Sequence, residues 1–478
     1  DSDTTFSTHI RGSFSFADAY DGGYINSRYP STDLNYAGAI DSCTIPVMGT
    51  EVGQYQVYPD YDEMAKYTGV MKPWNFEVFR ERLLENNLGS QAKEFFRASG
   101  ALSAICYKAD IEMAFRTPGF GGFHLLDLQD FPGQGTALIG MLDAFMDSKG
   151  LITPGEWGYF CNRVVPLAVL EKYCWQSGEK MTGRIQIANY SGKDMNNQKV
   201  LCQLRDSRDI VLGQAEFTAG IAQGKLNDLG TFDIDLSSVE KAEKFTFSIV
   251  LEGTHYMNKY PVWIYPAIDE PAIPEGIIVA DRLDSGTLGK LVSGSAVLYF
   301  PSFDEVRDLS VGGLFTPDYW NYRMFRGISE ANRKPVSPGT MALLTDPRHP
   351  VFSDFPTEFH TNWQWWPIVK NSRPFILDNA PKDYLPIVQV VDNIERNHKL
   401  GLLFEFAVGK GKIMICMSDL RRITGKPEGR QFYSSLLDYL ASPAFKPEYS
   451  LTERELRDLF SVKIAEKRIT GVRNISYN

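Results

Sequence analysis

The 478-residue chain is 43% hydrophobic and 23% charged, enough apolar material for roughly two to four cored domains, and this excludes a disordered or fibrous protein. Its net charge of −10, without a long lysine or arginine run, argues against nucleic acid or an anionic membrane surface as a partner. No apolar run approaches the roughly 20 residues that span a bilayer, and Asp1-Ser2-Asp3 replaces a Met-led apolar leader, so the chain reads as a mature protein or a fragment.

From about residue 9 to 155, short apolar strands alternate with long amphipathic helices, the pattern of part of an α/β barrel. The predicted strands are Gly12–Ala17, Ile45–Thr50 and Gly122–Leu128, each running into a loop rich in Gly, Asp or Gln. Between the last two, Phe76, Phe79 and Leu83, then Ala92, Phe95, Leu102, Ile105 and Ala109, fall on helical faces, with Asn75 and Ser90 as predicted N-caps. On the same stretch Lys108, Asp110, Glu112 and Arg116 have the spacing of i,i+4 charge pairs. Three strands cannot close an eight-stranded barrel, which takes about 250 residues. The remainder is expected upstream.

Residues 164–265 turn to period-two alternation, as in Arg184–Ala188 and Phe245–Ile249, with polar turns such as Ser191-Gly192-Lys193-Asp194, and predict an antiparallel Ig-like β-sandwich. Pro266, Pro271 and Pro274 mark a stiff linker. Beyond it, strand Ile277–Ala280, helix Ser285–Val292 and strand Ala296–Phe300 form a βαβ unit, so an α/β domain with a partly parallel sheet is expected over residues 275–448. Its later elements are strands Ile387–Val391, Leu402–Ala407 and Ile413–Met417 and a helix near Gln431–Leu440, with Gly409-Lys410-Gly411-Lys412 as a hairpin turn. Thr452 and Glu455 spell a capping box for a last short helix in the 449–478 segment. The fold class is therefore multidomain: a partial (β/α)8 barrel over 1–160, a sandwich over 164–265 and the α/β domain.

The six cysteines lack a C-x-x-C pair and the six histidines lack metal-ligand spacing, so neither a metal nor another cofactor is expected. Cys416 lies inside a strand without the glycines of a nucleophile elbow and reads as a buried thiol. The cluster Asn362-Trp363-Gln364-Trp365-Trp366 reads as inter-domain packing, with a carbohydrate platform as the alternative.

The most informative stretch is Ile45 to Tyr55, IPVMGTEVGQY, an apolar strand whose C-terminal end delivers Glu51 into a Gly- and aromatic-bearing loop. In an α/β barrel that end is the active face, and a carboxylate held there can attack an anomeric carbon. The alternative is an ordinary surface Glu at a strand end. Pro46 to Glu51 resembles the seventh barrel strand of glycoside hydrolase family 2, in which a proline, a few apolar residues and the nucleophilic glutamate recur. Residues 51–70 (EVGQYQVYPDYDEMAKYTGV) and 121–145 (GGFHLLDLQDFPGQGTALIGMLDAF) resemble the loop after that nucleophile and the eighth strand with its loop in the same group.

The resemblance implies a retaining exo-β-glycosidase, β-galactosidase-like or β-glucuronidase-like, with Glu51 as nucleophile, acting on terminal β-linked sugars of plant or algal oligo- or polysaccharides and periplasmic or secreted. The family's acid/base follows an asparagine at the end of the fourth strand. This chain contains no Asn-Glu pair, so the acid/base is expected in the N-terminal portion of the same enzyme, and the chain alone should be catalytically incomplete. Gln54, Tyr55, Tyr58, Asp127, Gln129 and Asp130 are the expected substrate contacts, with packing as the alternative for the tyrosines and structural roles for the acids; Asp18, Tyr20 and Asp21 would line the same pocket. The third domain resembles the amidotransferase-type α/β domain of some β-galactosidase relatives, where it packs or assembles. A non-catalytic carbohydrate-binding or scaffolding protein is the rival reading.

Overall fold

Ser7–Ile10 (β1), Val47–Val52 (β2) and Phe120–Leu125 (β3) form a parallel sheet in the order β1-β2-β3. The computed structural model describes residues 6–10, 12 and 23–462; within them the chain is multidomain, with one parallel, one mixed and two mainly antiparallel sheets. A closed (β/α)8 barrel is not formed by these residues. Of the strand expected at Gly12–Ala17, Gly12 lies in a turn and the rest falls outside the described residues. β2 starts two residues later than expected because Pro46, which has no N–H, contributes only its carbonyl, 2.9 Å from Ser7 N.

The two helices behind this sheet are Trp74–Glu85 and Ala92–Phe115. Neither expected N-cap acts as one. Asn75 lies inside the first turn and donates through Nδ2 to Gly135 O (2.8 Å), and Ser90 sits in a 3-10 turn, Gly89–Gln91, that runs directly into the second helix. The Ala92–Phe115 helix is buried over most of its circumference, including Ser99, Ser103, Asp110 and Glu112, because it is enclosed by β2 and β3, the sandwich and strand Thr340–Thr345 of the C-terminal sheet. The expected i,i+4 pairs form around Glu112, which is bonded to Lys108 and to Arg116 Nη1 (3.0 Å) and accepts from Asn258 Nδ2 (2.7 Å) and Tyr260 Oη (3.1 Å) of the sandwich.

The sandwich pairs a five-stranded sheet with a three-stranded one, Val164–Leu170, Lys180–Asn189 and Lys225–Asp235. Alternation decides which faces meet: Phe245, Phe247, Ile249 and Leu251 are buried from one sheet and Ile185 and Ile187 from the other, with Phe232 stacked on Phe247 at 4.9 Å. One departure from antiparallel order is Cys174–Gln176, parallel to Met257–Tyr265.

After coil at Pro266–Pro274, the C-terminal sheet runs in spatial order Ile277–Ala280, Ala296–Tyr299, Gly411–Cys416, Leu400–Val408, Val388–Asp392, Thr340–Thr345. The first three are mutually parallel and the rest antiparallel, as the βαβ reading and the Gly409 hairpin require. Helix Glu453–Leu459 starts on the expected Thr452–Glu455 capping box. No helix among the described residues is long and apolar enough to cross a membrane.

The parts are joined by buried polar contacts. Glu428, at the start of helix Pro427–Ala441, is 1% exposed and accepts from Tyr29 Oη at 2.8 Å; burial pushes its carboxyl up to about 7. As pH rises from the ordinary 4.5 toward 7 the unfolded chain releases this proton while the folded chain keeps it, so the group's contribution to stability declines over that window and is level above it. Glu428→Gln should flatten that decline in unfolding free energy, measured by urea melts at about pH 5 and about pH 8. A slope equal to the wild type's would contradict the assignment.

Candidate active site

β2 and β3 end on the same side, and Leu126 N donates to Val52 O at 3.0 Å, so the residues that follow Leu125 emerge beside the end of β2. Between the pairs Gly49↔Phe123 and Val52↔Leu125, β2 has one residue more than β3. This bulge contains Thr50 and Glu51, and Glu51 has φ 55°. A left-handed non-glycine residue costs on the order of 1–2 kcal/mol and persists only where its surroundings hold it, and bulges beside sites commonly re-aim one side chain. Glu51 is half-buried at the C-terminal mouth of the sheet. Gly53 (φ 105°) and Gln54 (φ 71°) continue the unusual backbone.

The loop is held from below by the Ala92–Phe115 helix. Asp110, fully buried, accepts from Gly53 N (3.3 Å), Tyr55 Oη (3.2 Å) and Tyr36 Oη. One turn earlier Tyr107 Oη accepts from Gln54 N (3.4 Å) and lies 3.0 Å from Asp127 O and 2.9 Å from Ile139 O, linking the loops after β2 and β3. Gly53 is pressed onto this tyrosine: a Cβ there would sit 2.2 Å from Tyr107 Cε1 in a backbone region that side chains rarely adopt. Gly53→Ala should therefore cost about 3 kcal/mol, read as a lower urea midpoint with an unchanged m-value; an unchanged midpoint would mean the loop is not held against Tyr107.

Gln54 is 3% exposed. Its Nε2 donates to Glu51 O (3.1 Å), while its Oε1 accepts from Tyr319 Oη (2.6 Å) and Trp320 Nε1 (3.0 Å). It braces the nucleophile candidate's own backbone. Tyr55 and Tyr58, 0% and 1% exposed, are core residues here; the Tyr58 hydroxyl donates to Asn397 Oδ1 at 2.6 Å, and neither ring offers a face to a sugar. Asp127 is half-buried at the mouth of the site, with Oδ1 accepting from Leu128 N (2.8 Å), and Gln129 is also half-buried. Asp130 points inward: Lys149 Nζ (2.6 Å) and Gly140 N (2.9 Å) bond its Oδ1, and burial holds its carboxyl above the usual range. Asp18, Tyr20 and Asp21 lie outside the described residues.

Elsewhere the side chains with chemical potential are engaged in packing. Trp363 stacks on Tyr173 at 5.0 Å, Trp365 is fully buried and Trp366 Nε1 donates to Ile25 O (2.9 Å), so the tryptophan cluster joins domains. The Cys416 thiol is buried and raised to about 12. Among the described residues no three His, Cys, Asp or Glu side chains are grouped to hold a metal. The supports that sequence reasoning missed are Tyr107, Tyr319, Trp320 and the role of Asp110. An acid flanked by Ala109 and Ile111 on an apolar helix was a usable signal for Asp110; nothing in the chain ties residues 319 and 320 to residue 54.

No curated protein matches the sequence. Two family models match parts of it, a domain of unknown function, DUF8488, over residues 179–266 and another, DUF8487, over residues 278–461. Among solved structures the chain is similar to the β-D-mannosidase from Dictyoglomus thermophilum, at 17% identity and a TM-score of 0.31, over 55% of this chain and 33% of that one. It is similar also to a β-glucuronidase from glycoside hydrolase family 2 (12%, 0.18, over 30% and 18%) and to the sporulation control protein Spo0M from Bacillus subtilis (16%, 0.17, over 23% and 51%). The chain thus spans about half or less of each of these structures. The neighbours include glycoside hydrolases, with low scores and partial coverage, and they do not fix a family.

Proposed function

We propose that the chain is the C-terminal part of a retaining exo-β-glycosidase of the family 2 type, with Glu51 as nucleophile. The observation that carries this is the left-handed bulge at the C-terminal end of a parallel strand, where the half-buried Glu51 has its backbone carbonyl held by Gln54 above a buried brace of Tyr107 and Asp110. Glu51 attacks the anomeric carbon and the bond to the leaving oxygen breaks. A second carboxyl group about 5–5.5 Å away gives that oxygen a proton, then takes one from water as the water displaces Glu51. Asp127 and Gln129, beside the same mouth, take sugar hydroxyls.

The acid/base and the missing strands belong to the N-terminal portion of the enzyme. In support, β3 pairs only with β2 among the described residues, and a groove of about 500 Å³ lined by Phe115, Phe120, Phe123, Arg163 and Tyr190 lies beside it, room for a further element of a (β/α)8 barrel. The domain division at 1–160, 164–265, 275–448 and 449–478, the periplasmic or secreted location, and plant or algal glycans with a terminal β-galactoside or β-glucuronide as substrate complete the reading. Proton NMR of the sugar freshly released from an aryl β-glycoside by the full-length protein tests it: the β anomer should appear first. First appearance of the α anomer would exclude a glycosyl-enzyme intermediate, and no release from any aryl β-glycoside would favour a non-catalytic carbohydrate-binding role.

A further inference from the structure

We infer that Tyr319 and Trp320, from the third domain, are positioning residues for Glu51, so that this domain completes the active site from more than 260 residues away in sequence. The inference rests on Glu51 being the nucleophile. Its geometry is a two-bond relay. Tyr319 Oη and Trp320 Nε1, both donors, converge on Gln54 Oε1, an acceptor with two lone pairs, which leaves Nε2 to donate to Glu51 O. Gln54 itself is left-handed and buried, so it has little freedom to make these bonds in another way.

The pair is anchored in its own domain as well as on the loops of the site. Asp318 N donates to Thr340 O (2.9 Å) at the start of strand Thr340–Thr345. Trp320 packs with Ala137, Ile139 and Leu126 in a small apolar cluster beneath the loop after β3, and Tyr319 forms an antiparallel backbone bridge with Tyr55. One dipeptide of the third domain therefore touches both loops of the site, the one carrying Glu51 and the one carrying Asp127. A domain that only packed against the barrel segment would need apolar contact there, not two convergent donors on a single amide oxygen.

The test uses the full-length protein with Tyr319→Phe, which removes one hydroxyl and keeps the ring, Gln54→Leu, the double variant, and Glu51→Gln. Tyr319→Phe should lower kcat on an aryl β-glycoside about tenfold with KM changed by less than about twofold, as expected for a lost orienting hydrogen bond. Amide exchange of residues 51–56 should rise while the sandwich amides keep their protection. The double variant should be no slower than Gln54→Leu alone, because both act through one amide. If Glu51→Gln is inactive while Tyr319→Phe keeps its kcat and its exchange pattern, the positioning role fails and the nucleophile stands. Retained turnover in Glu51→Gln would overturn both.

Discussion

Glu51→Gln in the full-length protein should reduce turnover of aryl β-glycosides by about 10⁴-fold or more while shifting the melting temperature by no more than about 2 °C. A carboxamide has no charge to present to an anomeric carbon and cannot leave again from a glycosyl adduct, so both halves of the double displacement are lost. The backbone at this position does not depend on the charge of the side chain. Glu51 is half-buried, and its left-handed backbone is held by Gln54 through its own carbonyl and by the bulge, features that glutamine preserves. A variant that lost activity only in proportion to lost folded protein would point to a structural glutamate.

Glu112→Gln should cost about 3 kcal/mol of stability, the second large effect. The carboxylate is 2% exposed between Lys108 and Arg116, and Arg116 is itself 5% exposed. Burial alone would push the Glu112 carboxyl up, but the two cations and Asn258 hold it below the usual range, so the charged form is the native one. Neutralising it leaves two buried or half-buried cations facing each other. The consequence reaches the site, because the same helix carries Tyr107 and Asp110 beneath the Glu51 loop. Urea unfolding monitored at a sandwich tryptophan should show the loss, and Arg116→Met added to Glu112→Gln should recover part of it; a midpoint matching the wild type would show that the cluster is not a keystone.

Much of the architecture was legible because the elements obey short-range rules. The period-two runs at Arg184–Ala188 and Phe245–Ile249, the βαβ unit at 277–299 and the Thr452–Glu455 box depend on neighbours within one strand or one helical turn, and each is found where the sequence puts it. Errors fell where a distant partner decides. Asn75 looked like a cap but is drawn to Gly135, and Tyr55 looked like a loop aromatic but is taken into the core by Asp110 and Ser103. Asp130 sits two residues beyond the strand end expected at Leu128, as a sugar-binding acid would, but β3 ends at Leu125 and Lys149 folds onto the carboxylate. The convergence of Tyr319 and Trp320 on Gln54 is the extreme case, since no local pattern records a contact across 265 residues.

Glu51 as the covalent nucleophile is tested most directly by incubating the full-length protein with a 2-deoxy-2-fluoro-β-glycosyl fluoride and mapping the adduct by peptide mass spectrometry. The fluorine at C2 slows turnover of the glycosyl-enzyme more than its formation, so the intermediate accumulates. A single fluorosugar on the peptide that contains Glu51, absent in Glu51→Gln, is the predicted result. A label on any other carboxylate, or inactivation that Glu51→Gln leaves unchanged, would contradict it.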